Sequence, residues 1–157
     1  MSKTIALIGL SGCGKSTYGL ELSRKLDRPF YDIDQLIEEK MGMSVTEIFR
    51  KEGEVFFRAM EWEMFLACCD QPNCVIATGG GLVPTAYEQG KSKPQNVFFL
   101  YLNTSIDEIE RRLSNPDALG VRPLMANGQD LRKQIEKLYI ERSKAYLAWA
   151  DGVLSTI

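Results

Sequence analysis

Histidine is absent from all 157 residues. Whatever acid–base chemistry this chain performs near neutral pH has no imidazole to use, so a carboxylate or a bound metal must serve. The four cysteines, Cys13, Cys68, Cys69 and Cys74, lack the spacing of a metal site. With no histidine to complete a ligand set, a structural zinc centre is excluded. Reduced thiols in a cytoplasmic protein are the plain expectation. No apolar run approaches the length of a membrane span. Met1-Ser2-Lys3 leads straight into a strand-like run, and no signal peptide is expected. Lysine and arginine number 19 against 21 acidic residues, a net charge of −2, so no basic surplus points to nucleic acid. Internal repeats and low-complexity tracts are also missing.

What is present is 45% hydrophobic residues, enough for a core. The length suggests one domain over residues 1–157. Strand-like runs alternate with helix-like ones. Strands are expected at Thr4-Ile5-Ala6-Leu7-Ile8, Pro29-Phe30-Tyr31, Cys74-Val75-Ile76-Ala77, Val97 to Leu102 and Val153-Leu154. Helices are expected from Thr17 to Leu26, from Gln35 to Met41 behind an Asp34 cap, and from near Val45, where Ser44-Val45-Thr46-Glu47 forms a capping box. A helix from Glu54 to Cys69 should follow Gly53, with Phe56, Met60, Met64 and Ala67 near one face. Two more are expected, from about Ser105 to Leu113 and from Asp130 to about Ala148. This alternation implies an α/β fold, a parallel sheet with helices on both faces. Residues 115–129 form the one long irregular stretch, with Pro116, Gly120, Pro123 and Gly128, and read as a lid loop.

The segment Gly9-Leu10-Ser11-Gly12-Cys13-Gly14-Lys15-Ser16 fits the phosphate-binding pattern G-x-x-x-x-G-K-[ST]. It lies between a strand-like run and a helix-like one, as that motif requires. Glycines let the backbone turn and present its N–H groups, and the new helix aims its positive end at an anion. Lys15 would reach the β- and γ-phosphates, and Ser16 would hold Mg²⁺.

Asp32 and Asp34 fall at the C-terminal end of the second strand, the ligand edge of a parallel sheet. Two residues apart in a strand, they would face the same side. One could orient water around Mg²⁺ and the other accept a proton from a hydroxyl; the plainer alternative is a helix cap and a turn residue. Gly79-Gly80-Gly81 follows the third strand and permits close backbone approach to a ligand. Arg58 and Glu61 form either a surface i, i+3 pair or a guanidinium oriented for a substrate carboxylate. Arg122 is either a solvated loop arginine or one that swings onto a transferring phosphoryl group. Arg142 is either a substrate clamp or a surface charge.

In this order and at these spacings, the motifs resemble those of the shikimate kinase family. The resemblance rests on the phosphate loop, Asp32-x-Asp34, Gly53-Glu54 through Phe57-Arg58 to Glu61, the glycine triplet, Arg122-Pro123-Leu124, and Arg142 with Tyr146. It runs from about Lys3 to Ala150. It implies a three-layer α/β/α P-loop kinase fold with a mostly five-stranded parallel sheet. It also implies ATP- and Mg²⁺-dependent phosphorylation of the 3-hydroxyl of shikimate. Asp34 would be the base, and Lys15 and Arg122 would stabilise the transferring group. Gly12, Cys13, Gly14, Lys15, Ser16, Thr17 and Arg112 would bind ATP, with Arg111 adjacent to the adenine-stacking position. Asp34, Arg58, Gly79, Gly80, Gly81 and Arg142 would bind shikimate, while Ser16, and Asp32 through water, would serve Mg²⁺.

A monomer with small-molecule partners only is expected, free of nucleic acid and membrane. Two departures from the family pattern stand out. The stretch between Arg112 and Arg122 is a few residues longer. The chain reaches Ile157 just after the last strand, where the family continues with an adenine-bordering loop and a covering helix. A less covered sheet face is therefore expected, with weaker ATP binding or an association that fills the gap. The rival readings are another small-molecule kinase, such as one acting on gluconate, and a non-catalytic nucleotide-binding module.

Overall fold

A computed structural model describes residues 3–114 and 130–156. Five strands form one sheet: β1 (Thr4–Ile8), β2 (Phe30–Asp32), β3 (Val75–Ala77), β4 (Val97–Thr104) and β5 (Gly152–Thr156). All neighbouring pairs are parallel, in the order β2-β3-β1-β4-β5. Seven helices lie among the described residues: α1 (Lys15–Leu26), α2 (Ile33–Met41), α3 (Val45–Glu52), α4 (Glu54–Cys69), α5 (Leu82–Glu88), α6 (Ile106–Leu113) and α7 (Leu131–Trp149). None of these helices is long and apolar enough to cross a membrane.

The two faces of the sheet are covered differently. Leu7 points to the α1 side, where Gly19 lets the helix press close. A Cβ at Gly19 would come within 2.6 Å of Phe30 and 2.9 Å of Leu7. Ala6, Ile8, Ile76, Phe99 and Tyr101 belong to the main core with residues of α4 and α7. There Phe99 meets Phe65 at 6.1 Å and Trp149 at 5.2 Å between ring centroids. Farther along the α1 side, Phe98 is exposed and Leu100 and Leu154 are only half-buried, so that face is less covered, as expected.

Element boundaries follow local chemistry. Ser44 accepts from the Glu47 N–H and its hydroxyl donates to the Glu47 carboxylate at 3.3 Å, which caps α3 at the expected place. Ser105 caps α6 by accepting from the Glu108 N–H, and Asp130 caps α7 by accepting from the Arg132 N–H. Three expectations need correction. The cap of α2 is Asp32, not Asp34, and the helix starts at Ile33, so Asp34 lies in its first turn. The buried face of α4 is Phe57, Glu61, Phe65 and Cys68; Phe56 is exposed, and Met60 and Met64 are only half-buried. Last, α5 follows the glycine triplet directly and carries Pro84 in its first turn, where a missing N–H costs nothing.

Connections after β1 and β3 lead away to opposite sides of the sheet. The crevice at their C-terminal ends is therefore the expected ligand site of an open parallel sheet. The phosphate loop, Asp32 and the glycine triplet all emerge there.

Candidate active site

The loop after β1 is wrapped around its own lysine. Lys15 is buried, and its Nζ donates to the carbonyls of Gly9 at 2.6 Å and Leu10 at 3.0 Å. It also lies 3.6 Å from the Cys13 sulfur. Gly9, Gly12 and Gly14 have φ of 147°, 87° and 99°, conformations that only glycine adopts without strain. Thr104, at the end of β4, donates its hydroxyl to the Cys13 carbonyl at 2.9 Å and ties the loop to the sheet. Ser16 and Thr17 sit exposed in the first turn of α1, beside free N–H groups.

Ser16 Oγ donates to Asp32 Oδ2 at 2.5 Å, and Asp32 Oδ1 accepts from the Gln35 N–H at 3.2 Å. Asp32 thus caps α2 and faces the phosphate loop at once. A hydroxyl and a carboxylate oxygen side by side suit a hard, oxygen-seeking ion such as Mg²⁺, which takes few protein ligands and completes its shell with water and phosphate. In keeping with that, the described residues contain no cluster of three or more His, Cys, Asp or Glu that would cage a metal by itself.

The glycine triplet is crowded by five side chains. A Cβ on Gly79 would run into Glu61 Oε2 and lie 3.2 Å from Asp34 Oδ1. One on Gly80 would lie 2.9 Å from the Ser11 hydroxyl and 3.3 Å from the Arg142 guanidinium. One on Gly81 would overlap the Arg58 guanidinium. Asp34, Arg58, Arg142 and the phosphate loop therefore converge on three consecutive residues. The strand alternation expected to align Asp32 and Asp34 is not what does so, because Asp34 belongs to a helix; the first turn of α2 carries it toward Gly79.

Arg58 is held from every side. It donates to Glu61 Oε1 at 2.9 Å and to Glu54 Oε2 at 3.4 Å. Its guanidinium lies 5.7 Å and 5.4 Å from the ring centres of Phe49 and Phe57, within cation–π range. This is no surface pair, because Glu61 is 1% exposed. Burial pushes the Glu61 carboxyl up to about 7, with Arg58 pulling it down and Asp34 pushing it up more weakly. Its second oxygen has no hydrogen-bond partner among the described residues.

Of the two arginines near the end of α6, Arg112 leans over the phosphate loop. Its guanidinium reaches the Gly12 carbonyl at 3.4 Å and crowds Gly14. Arg111 is largely exposed. Both grip Glu108, and hydrogen bonds from Arg111 and then Arg112 hold its carboxyl down at about 2. Arg122 and the lid segment lie outside the described residues. The sequence marked Glu61 as a partner for Arg58, and Ser11, Phe57 and Tyr146 only as members of motifs; Phe49 and the burial of Glu61 were not legible in it.

A family model described as Shikimate kinase matches residues 11–156. A shikimate kinase of Persephonella marina is 38% identical over 98% of this chain and 89% of its own length. The solved structure of shikimate kinase from Acinetobacter baumannii in complex with shikimate is 30% identical, with a TM-score of 0.89 over all of this chain and 85% of that one. Shikimate kinase from Aquifex aeolicus is 32% identical, with a TM-score of 0.74 over 97% of this chain and 86% of that one.

Proposed function

This chain belongs to the shikimate kinase family, and from that premise we propose how its own residues carry out the ATP-dependent phosphorylation of shikimate. The observation that carries the reading is the convergence on Gly79-Gly80-Gly81 of a carboxylate, two arginines and the phosphate loop. A carboxylated polyol needs that set: a cationic clamp at one end and a base at the other, with a phosphate donor beside the base.

Arg58 and Arg142 bind the shikimate carboxylate, and the N–H groups of the triplet add to the same anion site. Phe49, Phe57, Glu54 and Glu61 hold Arg58 so that little is lost in ordering it when substrate arrives. Asp34 accepts the proton of the 3-hydroxyl. The alkoxide-like oxygen then bonds to the γ-phosphorus while the bond to the β–γ bridging oxygen breaks and ADP leaves. Lys15 exchanges its loop carbonyls for phosphate oxygens, and Arg122 adds charge from the lid. Arg112 stacks on the adenine, a reading supported by its position over the phosphate loop. Ser16, with Asp32 acting through water, would hold Mg²⁺, which when bound neutralises phosphate charge.

The test is ADP release from Mg²⁺-ATP with shikimate, with gluconate and with no acceptor. Release is expected with shikimate alone, and NMR of the product should place the new phosphate on the 3-oxygen. Turnover with gluconate in place of shikimate would overturn the acceptor assignment.

A further inference from the structure

Tyr146 has no part in the steps above, yet it is 1% exposed and its hydroxyl reaches the acceptor site. It projects from α7, with its ring against Tyr101 of β4 at 5.1 Å between centroids. Its hydroxyl donates to the Gly80 carbonyl at 2.5 Å. The guanidinium of Arg142, one helical turn earlier, stands over the same glycine: a Cβ on Gly80 would lie 3.3 Å from it. Its positive charge also acts on the phenol. Burial pushes the phenol's pKa up, which keeps its proton in place at working pH.

A carboxylate gripped by both Arg142 and the glycine turn requires these two to keep one separation and one orientation. They come from elements far apart in the chain, α7 and the loop after β3. A trans peptide is planar, so fixing the Gly80 carbonyl also fixes the Gly81 N–H, which points the opposite way. Tyr146 thus ties the Gly80–Gly81 peptide to α7, the helix that carries Arg142. We propose that Tyr146 is a positioning residue for the acceptor carboxylate, its hydroxyl holding the Gly80–Gly81 peptide at a fixed place beside the Arg142 guanidinium. The inference rests on the reading that Arg142 and the triplet receive that carboxylate.

Tyr146→Phe keeps the ring and removes the link. Shikimate KM should rise roughly tenfold, kcat should stay within about threefold, and ATP KM should not move. The carboxamide analogue of shikimate, which lacks the charge that Arg142 grips, should inhibit variant and native enzyme equally. A loss spread evenly over ATP, shikimate and the analogue would mean a merely structural tyrosine and overturn the proposal. Arg142→Lys separates the two levels. If it leaves shikimate KM unchanged, the carboxylate assignment fails. If it raises that KM while Tyr146→Phe does not, only the role of Tyr146 fails. Should Tyr146→Phe not fold, the native complex with shikimate decides: Arg142 and the Gly81 N–H are expected on the same carboxylate, with Tyr146 still bonded to the Gly80 carbonyl. Loss of that bond on binding would overturn the inference.

Discussion

Gly9, Gly12 and Gly14, in the loop after β1, all have positive φ, whereas Gly79, Gly80 and Gly81, after the neighbouring β3, have none. Gly81 sits at φ −95°, where any residue is comfortable. Its lack of a side chain serves a different purpose: a Cβ would occupy the space of the Arg58 guanidinium. The first loop needs glycine chiefly for the path of its backbone, the second for what stands over it. A conformational requirement recurs wherever the same loop is built, so it becomes a motif. A steric requirement depends on neighbours drawn from α2, α4 and α7, so the sequence shows that the triplet permits close approach but not which groups stand over it.

The difference predicts separable failures. The largest concerns Lys15→Met, which keeps the loop but removes the charge meant for the phosphates. It should cut kcat by about 10³-fold or more, with shikimate affinity by calorimetry unchanged. A matching loss of shikimate affinity would show that the two turns are not independent. Next is Gly81→Ala, expected to raise shikimate KM by roughly 10- to 100-fold through displacement of Arg58, with ATP affinity within about twofold. Gly12→Ala, at φ 87°, should do the reverse and weaken ATP first.

Glu61 sharpens the comparison through pH. Its carboxyl is raised to about 7 in the folded protein from an ordinary value of 4.5, so between those values the native state binds the extra proton. Its contribution to stability is therefore full below pH 4.5 and is lost as pH rises through about 7; integrated, it amounts to roughly 3 kcal/mol. Glu61→Gln cannot ionise. In urea unfolding, the variant should gain on the native protein between pH 5 and pH 8. Its shikimate KM should exceed the native value most above pH 7, where the native carboxylate is charged and grips Arg58. A pH-independent difference in both would contradict this account. The smallest effect concerns α6: Arg112→Ala should raise ATP KM several-fold, roughly what one partly exposed contact supplies, and Arg111→Ala should leave it within about twofold.

Much of this was legible before folding. The strand order, every helix except α5, the cap at Ser44 and the extent of α4 follow from local signals, and the structure has them where expected. The face of α4 did not, for a physical reason. Periodicity looks for apolar residues, and the stripe that meets the core, Phe57, Glu61, Phe65 and Cys68, contains a carboxylate. Counting only apolar positions moved the stripe by one residue, to Phe56, Met60 and Met64. The residue that misled the pattern is the one that holds Arg58. The α2 cap was also misassigned by two residues, because both Asp32 and Asp34 are good caps and only the end of β2 decides between them.

By itself, the sequence determined the phosphate loop, the carboxylate pair, the absence of an imidazole base and the α/β alternation, since each depends on residues close together in the chain. Tertiary structure alone decided that Glu61 is buried, that Arg112 rather than Arg111 leans on the loop, and that Tyr146 joins α7 to Gly80. Those facts depend on which helix face meets the sheet. Long-range packing sets that face, because only the assembled core determines which polar group is cut off from water and must find a partner.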